Sequence, residues 1–227
     1  MASKKTHPKS SVQVSKSSLS KNLFSKKEAI KFGFEVAKKN IVFFLGVLVI
    51  WAFIVIISSS IQNSLNTNKQ FFVSFLFNLF MWIINSIISM GIINITLKFV
   101  DNKKPKLQDI YYTQKVFNYI LASIIRSVIV IFGFILFIIP GIIFSIKLQY
   151  SEYLIVDKKL DAVDSIKKSW EMTKGVKWNL FLLGILLGLI NILGFLCLFV
   201  GLLITVPLSL VANAYVYRKL LGQASLK

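Results

Sequence analysis

Hydrophobic positions along this chain fall into long unbroken runs separated by short, lysine-rich polar stretches. The run from Ile41 to Ile61 carries no charge, and a second extends from Phe71 to Leu97. About 20 helical residues, rising 1.5 Å each, cross a hydrocarbon core roughly 30 Å thick. Each of these runs therefore predicts one membrane-spanning helix. Residues 117–156 and 178–216 form two further apolar blocks, each too long for a single span. Pro140-Gly141 sits mid-way through the first block and is a turn signal, and Gly194 lies near the middle of the second. The pattern predicts an all-α, polytopic membrane protein with six spans in three hairpins. These lie at about 41–61, 71–97, 117–139, 142–156, 178–194 and 198–217. Because the two late hairpins have short arms, re-entrant pairs that fail to cross are the alternative.

The polar segments carry their own pattern. Residues 1–24 are a Ser/Lys-rich basic stretch with little to bury and are expected to be disordered. Ser25-Lys26-Lys27-Glu28 is a capping box that opens a helix. Ile30, Phe34, Ala37 and Ile41 then recur at helical spacing, which predicts an interfacial amphipathic helix leading into the first span. Ile30-Lys31-x-x-Phe34-Glu35-x-x-Lys38 matches Ile166-Lys167-x-x-Trp170-Glu171-x-x-Lys174, and Leu107–Tyr111 is a weaker third copy. The repeat predicts three units, each a cytoplasmic amphipathic helix followed by a hairpin. The membrane domain is expected over 25–222, with a short tail at 223–227.

Composition sharpens this picture. The chain is 56% hydrophobic and only 16% charged, with 20 phenylalanines, more apolar surface than a soluble domain of this size can cover. The net charge of +18 has no basic reading module around it, so no nucleic-acid partner is expected. The lysines cluster instead in the N-terminal stretch, the two connections near 98–116 and 157–178, and the C-terminus, while Lys69 stands apart. By the positive-inside rule both termini are cytoplasmic. Residues 1–40 lack a signal-peptide pattern, so the first span is expected to remain as an anchor. Cys197 and His7 are the sole cysteine and histidine; neither an internal disulfide nor a His/Cys metal site is expected.

Two motifs point to a family. One runs from Ile139-Pro140-Gly141-Ile142-Ile143 through Lys147 and Ile155-Val156-Asp157 to Ser165-Ile166-Lys167-Lys168-Ser169-Trp170-Glu171-Met172-Thr173-Lys174-Gly175. The other is Gly201–Leu208 with Ala214-Tyr215-Val216-Tyr217-Arg218. Together they resemble the bacterial multi-pass domains named after the membrane part of glycerophosphoryl diester phosphodiesterase. The resemblance covers roughly residues 25–222 and implies a six-helix membrane domain. It implies no activity, because the phosphodiesterase chemistry belongs to a separate soluble barrel that these residues do not encode.

Arg126, Lys147 and Glu152 are the charges expected inside the membrane, where each costs at least ~2.5 kcal/mol unless paired. Arg126 precedes Pro140 by about as many residues as Glu152 follows it. In a hairpin the two then lie at similar depth and form an ion pair, either as a structural clamp or as part of an anion-binding site. Thr205, Ser209 and Asn213 make a polar stripe on the last span with Pro207 among them, and Asn78, Asn85 and Ser89 make another on the second. Both suit interhelical hydrogen bonds, with a transport path as the alternative. Gly184 and Gly188 form a GxxxG pattern expected to pack within the protein. On the helix near 161–174, Ile166 and Trp170 are expected to face the protein and membrane, with Lys167 and Lys174 turned outward.

No carboxylate pair, nucleophile with a base, phosphate loop or metal spacing appears, so neither catalysis nor a cofactor is expected. The remaining reading is a non-catalytic membrane protein of the bacterial cytoplasmic membrane, acting as scaffold, lipid-contacting module or partner subunit. Its expected partners are the bilayer with anionic lipids at the cytoplasmic face, and a protein partner or second copy. A transporter or channel subunit for a small or lipid-like substrate is the alternative.

Overall fold

The computed structural model describes residues 24–67, 71–197 and 200–224. All regular structure among them is helical. The helices are α1 (Lys26–Lys39), α2 (Ile41–Thr67), α3 (Phe71–Val100), α4 (Val116–Leu136), α5 (Ile138–Leu148), α6 (Ser151–Lys158), α7 (Ala162–Met172), α8 (Lys177–Leu196) and α9 (Leu202–Ala224), with a 3-10 turn at Leu107–Ile110. The expected tail through residue 23, Lys69, the first residues of the sixth expected span and the last three residues lie outside the described set. Phe24, assigned to that tail, is instead buried.

Four helices are long and apolar enough to cross a membrane: α2 over Ile41–Ser64, α3, α4 and α8. Their sides are largely unburied by protein, as lipid-facing helices should be. α5 has 11 residues and α6 has 8, about 16 Å and 12 Å long, so neither crosses alone.

The core lies around α9, where Val211, Ala212, Ala214, Val216 and Tyr217 are fully buried. α1 packs on this helix through Ala29, Gly33 and Ala37. Gly33 meets the Leu208 carbonyl and Ala212 so closely that no side chain fits there. Of the expected apolar face, Ala37 is buried and Ile30 packs partly on the core, while Phe34 is 45% exposed, because small residues, not large ones, let two backbones approach. Ser25 caps α1, its hydroxyl accepting from the Glu28 amide at 3.3 Å.

The expected turn at Pro140-Gly141 is also corrected. The chain breaks at Phe137, whose backbone is extended, and Pro140 is the third residue of α5. Proline needs no amide partner in a first turn, so it starts this helix instead of ending one. Gly141 serves packing: a Cβ there would strike the Phe134 ring, and Gly133 lies against the Gly141 backbone. The α8–α9 connection repeats the device, with Gly194 against Gly201.

The fourth expected span, 142–156, is likewise not continuous. It breaks at Gln149-Tyr150 into α5 and α6. Ahead of α4 the weak third repeat folds as the 3-10 turn, not an α-helix. Its Ile110 carbonyl lies directly over Gly91 of α3, and Lys98 reaches Asp109 at 2.6 Å.

Candidate functional site

The break between α5 and α6 exposes backbone groups that a continuous helix would pair, and α7 supplies their partners. Ser169 Oγ donates to the Lys147 carbonyl at 2.8 Å and accepts from the Tyr150 amide at 3.2 Å. Thr173 Oγ1 donates most closely to the Ser169 carbonyl of its own helix, at 2.9 Å, and lies 3.3 Å from the Lys147 carbonyl as an alternative acceptor. Ser151 Oγ donates to the Leu148 carbonyl at 2.8 Å. Irregular backbone at this depth persists only where protein satisfies it. The buried face of α7 is accordingly Ala162, Ser165, Ser169 and Met172. Ala162 and Thr173 are buried and Ile166 is partly buried, while Val163 and Trp170 are 50% and 37% exposed. Lys167 and Lys174 are exposed. Hydrogen-bond demand at the break outweighs the apolar pattern there.

Arg126 and Glu152 meet at 2.7 Å, joining α4 to α6. Tyr119 Oη donates to the other Glu152 oxygen at 3.3 Å and also engages Ser89 of α3. One carboxylate of α6 is thereby held by two side chains of α4. Lys147 belongs elsewhere. Its ammonium sits 3.4 Å from the centroid of the Trp170 ring, and Phe144 packs near the same ring at 5.9 Å. The three expected intramembrane charges thus form two sites, not one.

Arg218 holds the largest ionic cluster. Its Nε and Nη2 donate to the two oxygens of Asp101 at 2.8 and 2.6 Å, and its Nη1 lies 2.7 Å from Asp157. Tyr217 Oη donates to Asp157 at 2.9 Å, so the ends of α3, α6 and α9 are locked together. Sequence reasoning assigned no role to Asp101, Asp157 or Arg218. The available signal was that acids are rare here, only nine in the chain, against 27 basic residues that compete to pair with them. Lys115 Nζ and Asn118 Nδ2 both donate to Asp161, at 2.9 and 2.8 Å. The Lys115 hydrogen bond and charge, with Asn118, hold its carboxyl below the usual range. Burial raises Asp109, but the Lys106 amide and the Lys98 ammonium together lower it further.

The polar stripes mostly bond within their own helices. Asn78 and Asn85 donate to the carbonyls of Ser74 and Met81, and Asn213 donates to that of Ser209. Besides the Tyr119–Ser89 contact, one more bond crosses: Asn191 Nδ2 of α8 donates to Ser209 Oγ at 3.0 Å. Beside it Asn191 Oδ1 and Thr205 Oγ1 are buried without partners among the described residues, and Pro207 interrupts the ladder of α9. Nothing lies within 4 Å of a Cβ at Gly184 or Gly188, which corrects the expected internal packing of that GxxxG pattern. An open cleft of about 650 Å³ lies between the start of α1 and Lys219, lined also by Asn179. No group of three or more His, Cys, Asp or Glu suited to a metal occurs among the described residues.

Over 133 residues the chain is 30% identical to an uncharacterized protein of Mycobacterium tuberculosis, covering 58% of this chain and 41% of that one. The figures are the same for an uncharacterized protein of Mycobacterium bovis. These relatives are bacterial. The chain spans about two fifths of their length. No family model and no solved structure matches.

Proposed function

We propose that this chain is a non-catalytic, lipid-contacting module of the bacterial cytoplasmic membrane, working through its surfaces as a scaffold or partner subunit. The carrying observation is how its buried charges are used. Arg126–Glu152 and Arg218–Asp101–Asp157 join helices to one another, which is the arrangement of clamps, not of groups held ready for a reaction. The helices outside the clamps turn apolar faces outward. Six spans belong to the same reading. α5 and α6 together are about 28 Å long, enough for one broken span beside α2, α3, α4, α8 and α9. The lysine distribution orients both termini to the cytoplasm, and the family resemblance of the Pro-Gly and Ser-Trp-Glu motifs supports the architecture.

The test is reconstitution into vesicles with spin-labelled lipids. Preferential immobilisation of anionic over zwitterionic lipid, without solute flux, is the expected result. Labelling of Cys197, which is exposed, and of cysteines placed at Ser64 and Ile138 from outside, but not at Asp164, is expected for six spans. The transporter reading rests on Pro207 and the unpartnered oxygens of Asn191 and Thr205. A solute flux that N191L or T205V abolishes would replace the scaffold reading with it.

A further inference from the structure

We propose that Lys147, seated over Trp170, together with Lys174 and Lys177 forms a binding site for the phosphate group of an anionic glycerophospholipid. The inference rests on the lipid-contacting reading and gives it a place on the molecule.

Six basic side chains elsewhere, those of Lys31, Lys98, Lys115, Arg126, Lys158 and Arg218, each have a carboxylate within 4.0 Å. The three lysines here, like Lys38, Lys103 and Lys104, have none among the described residues, although Glu171 lies one turn before Lys174 on the same helix; what sets them apart is that the fold brings them together. They are close enough to one another that Lys174 and Lys177 repel the charge on Lys147. Their gathering follows from the fold. Ser169 and Thr173 tie α7 to the Lys147 carbonyl, which brings the end of α5 beside the end of α7. Gly175, at φ +89°, then turns the chain sharply between Lys174 and Lys177. Like charges held together without a counter-ion leave electrostatic work for an anion to do.

The surroundings select the kind of anion. Trp170 and Trp178 are 37% and 69% exposed and mark the level where aromatic rings meet head groups. Below them α8 offers Leu182, Ile185, Leu186 and Leu189, all exposed, to acyl chains. α8 begins at Val176 with no side-chain cap, so its first amides add donors of the same sense. A phosphodiester with two fatty chains fits both halves, with the headgroup phosphate on the lysines and the chains along α8.

The test is native mass spectrometry of the purified full chain with phosphatidylglycerol, phosphatidylcholine or inorganic phosphate. Basic residues near a membrane surface contribute a factor of roughly five each. The K147Q/K174Q/K177Q variant is therefore expected to lose about 100-fold in phosphatidylglycerol affinity. The control K38Q/K103Q/K104Q, with the same charge loss at exposed sites that share no common anion position, is expected to lose clearly less than the site variant. The corresponding triple arginine variant should restore binding, and circular dichroism checks that each variant is folded. Equal losses in the site and control variants would overturn the site and leave the lipid-contacting reading standing. A wild-type chain with no preference for phosphatidylglycerol would overturn that reading itself. Inorganic phosphate that binds the wild type as tightly as the lipid, and is lost with the three lysines, would assign the site to a soluble anion and overturn the lipid as its source.

Discussion

Ser169→Ala isolates the interaction on which the α5–α6 break depends. Its hydroxyl serves two buried backbone groups, the Lys147 carbonyl and the Tyr150 amide. The carbonyl keeps Thr173 as a partner at 3.3 Å. The Tyr150 amide keeps none among the described contacts, and Tyr150 itself is 1% exposed. Leaving one buried donor unmade costs about 1–3 kcal/mol, so a loss of about 2 kcal/mol is expected. Ser165→Ala is the matched control. Ser165 is equally buried, but its hydroxyl donates only to Ala162 of its own helix, and its removal strands no backbone group. That variant should lose under about 1 kcal/mol. Reversible unfolding in mixed micelles, followed by tryptophan fluorescence, reads both values. Equal losses for the two serines would refute the argument that Ser169 satisfies the break. In the double variant S169A/T173V the carbonyl is stranded too, and the loss should grow by a further ~1 kcal/mol or more.

Three further expectations follow from the same geometry. Gly91→Ala places a Cβ into the Ile110 backbone carbonyl and should destabilise by about 1–3 kcal/mol, whereas Gly184→Ala and Gly188→Ala meet open space and should stabilise by up to about 1 kcal/mol; micellar unfolding distinguishes the two classes. Arg218→Ala leaves Asp101 without its cation and Asp157 with Lys158 alone, at 3.5 Å, and because Arg218 is partly solvated the expected loss is about 2–3 kcal/mol, below the range for a fully buried pair. Arg218→Lys should recover less than half of it, since an ammonium cannot reproduce the fork to both carboxylates. The Asp109 and Asp161 carboxyls lie below their ordinary range when folded, so folding favours their ionised forms. That contribution is fully present above about pH 4 and is lost as pH falls through the lower folded values. Unfolding midpoints measured from pH 7 down to about pH 3 should hold steady and then drop, and D161N should flatten the drop.

Much of the architecture was legible because hydrophobic run length answers directly to the thickness of a bilayer. The sequence alone determined that the chain is helical, that the runs near 41–61, 71–97, 117–139 and 178–194 hold helices long and apolar enough to cross, and that α1 and α7 are amphipathic. It also made the Arg126–Glu152 pair a matter of counting residues on either side of Pro140, a count that tolerates the true bend lying at Phe137.

What the sequence could not specify was how the elements meet. Which face of α1 is buried depends on how close Leu208 and Ala212 come to Gly33, and which face of α7 is buried depends on a helix break at least twelve residues away in the chain. Whether Lys147 joins Arg126 and Glu152 or sits over Trp170 depends on where α7 docks. In each case local pattern records only what would be apolar or polar in isolation. Close backbone approach and the pairing of stranded amides and carbonyls are decided between segments, and there the tertiary structure overrides the periodicity.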